Sequence, residues 1–228
     1  SRGCIYIFIF GFVFLTLPLK FAFGEIDHLI ITEVQIEGET THNDFIEIYN
    51  PTNSEINISS FQIRKKTQSA KNDQGELILE FPEGAKLKAK NYILWANSED
   101  GYANSINADF SNEKIISPNN SIALLDNSGK TLAERKIIDA VGWGEGNQYS
   151  FIEGSFLLPA AGQKLKNLQR KQIDGIYQDT DNNVNDFEIN EKPSPMGGGL
   201  VTSTSEELLP LSANAGDDVI STTGTEIT

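Results

Sequence analysis

Short alternations of apolar and polar residues, separated by turn residues, restrict the fold of this chain more than any other feature. The stretch DFIEIYNPTNSEINISSFQI, residues 44–63, is typical: Ile46 and Ile48 alternate with polar neighbours, an Asn-Pro turn follows, and the alternation resumes. Successive side chains of a strand point to opposite faces. The pattern therefore predicts two strands, joined as a hairpin, that each bury one face.

Strand patterns of this kind recur from Leu29 to Ile189, and no long helical pattern lies between them. Turn residues separate them about every 8–12 residues, which indicates an antiparallel β-sandwich or a barrel. The chain has 228 residues, enough for one domain of about 100–200 residues with flanking segments. We therefore predict an all-β fold class with one main domain.

The charge balance argues against nucleic acid as a partner. The chain carries 18 Lys+Arg against 32 Asp+Glu, a formal net charge of -14, and such a field repels phosphate backbones while it attracts divalent cations. The basic cluster at residues 64–66 is short and isolated. We attribute the second basic run, residues 164–171 with Arg170, to a solvated strand edge, where lysine discourages pairing with other chains.

The first 24 residues differ in composition from the rest of the chain. Arg2 precedes an apolar run that starts at Cys4, and small residues end the segment at Gly24. A positive start, an apolar core and a small-residue cleavage site predict a secretory signal peptide over residues 1–24. The mature chain would then be secreted or lie on the cell surface, without a membrane span. An uncleaved anchor helix is the alternative, although the apolar run is short for a span.

The single cysteine favours a bacterial setting. Cys4 lies inside the predicted signal peptide, so the mature chain would have no disulfide, in contrast to many small animal extracellular domains. The chain begins with Ser1, and its one methionine is Met196. We expect a fragment of a longer reading frame, with a processed chain as the alternative.

The composition changes again after Pro193. The stretch PSPMGGGLVTSTSEELLPLS is rich in proline, glycine and serine, which predicts a flexible linker, placed at residues 198–212. Strand-like residues resume at residues 213–228, in ANAGDDVISTTGTEIT. We predict that a second β domain starts there.

Several sequence pieces over residues 29–197 occur in the order of one known family. They are ITEVQ, DFIEIYNPTNSEINISSFQIR, FPEGAKLKAKNYILWAN, SIALLDNSGKTLAERKIIDAVGWG, LQRK, DTDNNVNDFEI and PSPMG. Together they resemble the lamin-tail domain in its bacterial secreted form, which places the domain at residues 25–197. The resemblance implies a non-catalytic, immunoglobulin-like antiparallel β-sandwich of secreted or surface-anchored proteins, sometimes found beside hydrolases or nucleases. The last stretch, residues 213–228, is similar to the opening of a PKD-type repeat, which implies a multi-domain surface protein.

The sequence contains no convincing catalytic pattern. Glu47 would need a second carboxylate and a cleft to act as an acid, so we interpret it as a polar residue tied to backbone, to Arg64 or to Lys65. His28 and His42 have no metal-ligand spacing, and we expect both in solvent near strand ends. A G-x-S-x-G nucleophile motif is also missing from the sequence. We therefore predict that this chain is not an enzyme.

Two tryptophans allow either a binding or a packing role. Trp143 lies between glycines in VGWG and could stack on a sugar, but packing in a sandwich core, with the glycines allowing close approach, is the favoured interpretation. Trp95, in YILWAN, is interpreted as core as well.

The polar stretch DTDNNVND, residues 179–186, is the one metal candidate. Its start copies an EF-hand loop, but valine replaces the glycine of the sixth position and asparagine the glutamate of the twelfth. A looser calcium site remains open, because hard oxygen ligands favour calcium. The alternative is a turn network in which Asp and Asn side chains bond backbone amides. The candidate ligands are Asp179, Asp181, Asn183 and Asp186.

These observations predict an interaction or tethering module of a secreted or cell-envelope protein, without a cofactor apart from the calcium alternative. Its expected partners are a protein or a cell-envelope polysaccharide. Two alternatives remain. The chain could be an accessory domain of a secreted hydrolase or nuclease whose catalytic domain lies beyond residue 228, or a calcium-dependent glycan-binding module.

Overall fold

The computed structural model describes residues 25–129, 131, 134–158 and 166–202. The predicted signal peptide (1–24), most of the predicted linker and the predicted start of a second domain (213–228) lie outside the described residues. In the part that is described, no helix is long and apolar enough to cross a membrane.

Short strands make up most of the described chain, as the alternation predicted. They are β1 (Ile30–Gln35), β2 (Phe45–Tyr49), β3 (Ile56–Asn57), β4 (Phe61–Thr67), β5 (Glu76–Glu80), β6 (Ala85–Leu87), β7 (Tyr92–Asn97), β8 (Phe110–Asn112), β9 (Asn120–Asp126), β10 (Lys136–Gly142), β11 (Asn167–Arg170), β12 (Gln172–Ile173), β13 (Ile176–Tyr177), β14 (Phe187–Asn190) and β15 (Leu200–Thr202); the helical segments are a 3₁₀ turn (Glu99–Gly101), α1 (Tyr102–Ser105) and α2 (Asn183–Asp186).

The strands form a β-sandwich of two main sheets. The larger sheet has the order β14-β11-β1-β2-β7-β8, and the smaller has the order β10-β9-β4-β5. Neighbouring strands run antiparallel, except that β7 and β8 pair in parallel. A small sheet, β15-β6-β3, and the hairpin β12-β13 complete the described part. The predicted immunoglobulin-like antiparallel sandwich is confirmed.

The stretch at residues 44–63 spans both sheets, so the predicted hairpin is wrong. Strand β2 pairs with β1 and β7 in the larger sheet, whereas β4 pairs with β5 and β9 in the smaller one. The turn after β2 and the short strand β3 carry the chain from one layer to the other. Alternation predicts which face of a strand is buried, but it does not say which strand is its neighbour.

The core lies between the two sheets and contains both tryptophans. Ile46 and Ile48 of β2 pack into it beside Trp95 and Trp143, and both tryptophan side chains are 0% exposed. The indole N–H of Trp143 donates to the Ser117 carbonyl at 2.9 Å. The core interpretation of both residues is confirmed, and a sugar cannot stack on Trp143 in this arrangement.

Residues 193–199, here called the strap, cross the outer face of the larger sheet and then lead into β15. Strand β15 pairs with β6 through Leu200 and Leu87, so residues 198–202 belong to the folded domain, and the predicted linker start at residue 198 is wrong. Two of the three strap glycines, Gly197 and Gly199, have no room for a side chain. A Cβ at Gly199 would lie 2.6 Å from the Tyr92 carbonyl oxygen, and one at Gly197 would lie 2.7 Å from an Asp109 carboxylate oxygen.

The chain enters and leaves the described domain near the same strands. Asn53, in the turn between β2 and β3, donates to Glu25 at 3.4 Å. Leu87 of β6 pairs with Ile56 of β3 on one side and with β15 on the other. Both ends of the domain are therefore attached close to the β3-β6-β15 sheet.

Candidate functional site

A buried arginine organises one corner of the sandwich. Arg170, on β11, is 1% exposed, and its Nη2 donates to both carboxylate oxygens of Asp139 at 2.8 and 2.6 Å. Its Nε donates to the Ile31 carbonyl at 2.8 Å, and the guanidinium lies 4.5 Å from the centre of the Phe187 ring. The predicted placement of Arg170 on a solvated strand edge is wrong, because its charge is satisfied inside the protein.

The Arg170–Asp139 pair joins the two sheets. Asp139 lies on β10 of the smaller sheet, and it also accepts a hydrogen bond from the Ile31 amide of β1 at 2.5 Å. Arg170 lies in the larger sheet beside β1. One guanidinium–carboxylate pair, together with the Ile31 peptide, thus closes the sandwich at this end.

Two of the four predicted calcium ligands serve structural roles instead. The Asp186 carboxylate accepts from the Thr180 amide at 2.8 Å, from the Thr180 hydroxyl at 2.8 Å and from the Asn182 amide at 3.2 Å. The Asn183 side chain donates to the Ala140 carbonyl at 2.7 Å and accepts from the Gly142 amide at 3.1 Å. Asp186 therefore fixes the turn, and Asn183 covers the edge of β10 as a neighbouring strand would.

The other two predicted ligands lie together with a glutamate that the sequence did not suggest. Ligand oxygens of Asp179, Asp181 and Glu153 lie within 4.8 Å of one another. Calcium takes about 6–8 oxygen ligands, and this group supplies three side chains. Asp179 is also paired with Arg170 at 3.3 Å and with His28 at 3.1 Å, so a guanidinium, and the imidazole when it is protonated, offset its charge. Calcium binding here stays a prediction.

Glu153 has an unusual protonation equilibrium. Its Oε1 accepts from the Ala140 amide at 3.2 Å, whereas its buried Oε2 has no hydrogen-bond donor within the described residues. Burial, reinforced by the negative charge of Asp139, raises the pKa of Glu153 to about 8. The neutral carboxyl group is therefore the major form at neutral pH.

The two histidines do not lie free in solvent as expected. His28 bonds Asp179, which raises the pKa of the imidazole above its ordinary value, with a smaller contribution from Asp27. His42 lies near two acidic side chains, with its Nδ1 2.9 Å from Glu99 and 3.3 Å from Asp100. Within the described residues, neither histidine takes part in a metal-binding group.

Glu47 is a structural anchor, and its partner Glu33 went unnoticed in the sequence. The two glutamates lie directly opposite each other on β2 and β1, an arrangement that is unfavourable for two bare charges. Glu47 accepts from the Met196 amide at 2.7 Å and from the Thr32 hydroxyl. The expected ties to Arg64 or Lys65 are not among its bonds, although the expected tie to backbone is.

The strap is held by three carboxylates at every second residue. Glu33 accepts from the Ser194 amide at 2.9 Å, Glu47 accepts from the Met196 amide at 2.7 Å, and Asp109 accepts from the Gly198 amide at 2.9 Å. Burial raises the pKa of Glu47 to about 7, against the opposing effect of the bonds from Thr32 and Met196. Carboxylates on this face of the domain thus hold the strap through its alternate amides.

Sequence reasoning missed these anchors for a specific reason. Glu33 and Glu47 occupy alternate, polar positions of their strands, where solvent exposure is the ordinary expectation. The strap offered no signal either, because its bonds come from the backbone amides of Ser194, Met196 and Gly198, which do not depend on residue type. Its prolines and glycines next to serines suggested a linker.

The comparisons with known proteins agree with this architecture. A search of curated proteins returned no match for this chain. The family model described as Lamin Tail Domain matches residues 25–145, which is just over half of the 228 residues. Domains of this family are non-catalytic, and they have the immunoglobulin-like fold that is found here. The chain belongs to the lamin-tail domain family.

Proposed function

We propose that this chain is a non-catalytic tethering module of a secreted or cell-envelope multi-domain protein of bacterial type. The observation that carries the proposal is the strap. Two carboxylates of the sheet, and that of Asp109 just before β8, hold the amides of Ser194, Met196 and Gly198. The path of the chain as it leaves the sandwich is therefore tied to the body of the domain, so the domain can set the position of whatever is attached after it.

The use of the charged groups supports a structural role. Arg170, Asp139 and Asp186 satisfy one another or the backbone at the corner, and Glu33 and Glu47 satisfy the strap. A catalytic carboxylate needs room for a substrate beside it, whereas these groups are buried against protein. The secreted location rests on the composition of residues 1–24, which has the three parts of a signal peptide.

Cell fractionation tests the proposal. An antibody against the sandwich is used on cytoplasmic, envelope and culture-medium fractions of the source cells, and the purified chain is incubated with washed envelopes. We expect the protein in the envelope or medium fraction and sedimentation of the purified chain with envelopes. Confinement to the cytoplasm together with no sedimentation would contradict both the location and the tethering role.

Two further functions stay predictions from the sequence. An accessory role beside a hydrolase or nuclease predicts a catalytic domain in the source gene after residue 228, and sequencing that gene tests it. A calcium-dependent glycan-binding role is favoured only by the approach of Glu153, Asp179 and Asp181. It predicts a higher melting temperature in millimolar calcium than in chelator, and equal values would exclude it.

A further inference from the structure

A polar cleft lies at the end of β1, between the α1 segment and the start of the strap. Its volume is about 770 Å³, and its lining includes Gln35, Tyr102 and Asn167. None of the groups described at the Arg170 corner lines it. The cleft is thus separate from the residues considered for calcium, and the structural roles assigned above do not account for it.

An unpaired acceptor lies at the floor of the cleft. Asn167 is 1% exposed, and its Nδ2 donates to Glu33 at 2.7 Å. Its buried Oδ1 accepts no hydrogen bond within the described residues. A buried acceptor without a donor is unfavourable, so this position favours a ligand that brings N–H groups.

The neighbouring amide and phenol are arranged around the same space. Gln35 is also buried, and its Nε2 donates to the Tyr102 hydroxyl at 2.8 Å and to the Asn43 carbonyl. These bonds fix the orientation of Tyr102, whose half-buried ring forms part of the wall. An aromatic wall attracts cations through its negative face.

The rim of the cleft is acidic. Among the described residues that line the cleft, four are acidic and one is basic: Glu37, Glu39, Asp100 and Glu191, and Lys166. His42 lies 3.3 Å from Asp100 and 2.9 Å from Glu99, and of the four rim carboxylates it contacts only Asp100. The local excess of negative charge has the same sign as the net charge of the whole chain, -14. Such a rim raises the local concentration of cations and repels anions.

We infer that this cleft binds a basic side chain, the guanidinium of arginine or the ammonium of lysine, presented by a partner protein. Arginine offers five N–H donors and lysine three, and neither offers an acceptor, which complements a floor and a rim made of oxygen acceptors. The inference rests on the proposed tethering function, because it names the chemistry by which the module would hold a partner. A neutral sugar would gain less from the rim, since it carries no positive charge.

Peptide titration of the whole chain tests the inference. The probe is a capped Gly-Arg-Gly-Arg-Gly peptide, and its control has glutamine in place of both arginines. We expect saturable binding of the arginine peptide by calorimetry, binding that weakens as salt increases, and no measurable binding of the glutamine peptide. In a nitrogen-15 NMR spectrum the side-chain amide signals of Asn167 and Gln35 should shift.

A charge-matched pair of variants separates the cleft from the general acidity of the chain. Glu39→Gln/Glu191→Gln removes two exposed rim charges and should weaken the arginine peptide about tenfold. Glu83→Gln/Glu113→Gln removes two exposed carboxylates that do not line the cleft, and it should leave the affinity unchanged. Melting temperatures verify that both variants are folded.

Three results would overturn the inference. They are equal binding of the arginine and glutamine peptides, equal loss in the two double variants, and preferential binding of a neutral oligosaccharide at the Asn167 signals. Envelope sedimentation is measured in parallel on the Glu39→Gln/Glu191→Gln variant. If the peptide fails to bind while the native chain still sediments, the cleft inference fails and the tethering function stands.

Discussion

Two regions of this sandwich bury several carboxylates, and they stabilise them in different ways. At the corner, Asp139 is bonded by the guanidinium of Arg170 at 2.6 and 2.8 Å. On the outer face, Glu33 and Glu47 each accept one backbone amide of the strap, together with side-chain donors from Ser194, Asn167 and Thr32, and within the described residues neither has a salt-bridge partner. A cation supports one region, and neutral N–H and O–H donors support the other.

The difference explains what each region can do. A charge pair buried in a dry interior is strongly coupled, so losing the cation leaves unpaired negative charge that has no access to water. The negative charge of a carboxylate that is bonded only by neutral donors is less strongly stabilised than one paired with a cation. Burial accordingly raises the pKa of Glu47 to about 7. The corner should therefore be rigid and sensitive to substitution, whereas the strap should respond to milder changes.

The largest expected effect is at the corner. Arg170→Met removes the guanidinium but leaves Asp139, Asp179 and Asp186 around its place. We expect the free energy of unfolding to fall by about 3–5 kcal/mol, because a buried charge loses its partner. Urea denaturation at pH 7 measures it. The double variant Arg170→Met/Asp139→Leu should recover part of the loss, and a loss below about 1 kcal/mol in the single variant would contradict the assigned role.

The second largest effect is expected at Gly199, where a substitution tests whether the strap is folded structure or a linker. A Cβ at position 199 meets the Tyr92 carbonyl oxygen at 2.6 Å and the Leu87 Cδ1 at 2.8 Å. We expect Gly199→Ala to reduce the free energy of unfolding by about 1–3 kcal/mol through overpacking. A flexible linker would tolerate alanine without loss, so an unchanged melting curve would show that residues 197–199 are not docked.

Position 198 allows a matched control for this prediction. Gly198 has φ +84 and no neighbour within 4 Å of an added Cβ, and the same holds for Gly175, with φ +80. Alanine at either position is strained by backbone conformation alone, at a cost of about 1 kcal/mol. Gly198→Ala and Gly175→Ala should therefore reduce the free energy of unfolding by similar amounts, and Gly199→Ala should reduce it by more than either.

A smaller effect distinguishes the acceptor role of Glu47 from its charge. Glu47→Ala leaves the Met196 amide without its acceptor and should cost about 1 kcal/mol, with faster hydrogen exchange at Met196. Glu47→Gln keeps one acceptor oxygen and should preserve most of the protection. Hydrogen exchange followed by NMR measures both variants. Equal protection of the Met196 amide in the native and Glu47→Ala proteins would show that Glu47 does not hold the strap.

The smallest effect concerns pH. Between pH 4.5, the ordinary pKa of a glutamate, and about 8, the pKa of Glu153, the folded chain keeps a proton that the unfolded chain has released. The free energy of unfolding therefore falls as pH rises through this window, because ionisation favours the unfolded state. Glu153→Gln retains an acceptor for Ala140 and cannot ionise. We expect it to gain about 1 kcal/mol at pH 8, a value discounted for partial exposure, and nothing at pH 4.

The control for this experiment is Glu83→Gln, at an exposed position. Thermal unfolding is followed for the native chain and for both variants from pH 4 to pH 9. The Glu83→Gln curve should run parallel to the native one, whereas the Glu153→Gln curve should separate from it above pH 4.5. Parallel curves for all three would show that Glu153 titrates normally.

Local pattern sufficed to predict the fold class and the core, but it did not predict partners across the sheets. Ile46, Ile48 and Trp95 could be assigned to the core because alternation reports which side of a strand is apolar. The pairing of β2 with β1 and β7 depends on contacts between distant residues, and local alternation does not specify that register.

The candidate site was less predictable for the same reason. Asp186 and Asn183 were recognised as polar groups of interest, but their actual roles depend on Thr180, Ala140 and Gly142, two of which come from another strand. Arg170 looked like a surface residue, since a long basic side chain is usually exposed. Burial of the Arg170 guanidinium is favourable only because it pairs with Asp139, which lies 31 positions away in the sequence.

The attachment of both ends of the domain beside the β3-β6-β15 sheet has a mechanical consequence. A pull applied between residue 25 and residue 202 acts first on the short pairing of β15 with β6 and on the three bonds that anchor the strap. The tryptophan-centred core lies behind them. The module should therefore extend in two stages under force, with a short early release of the exit segment before the sandwich itself unfolds.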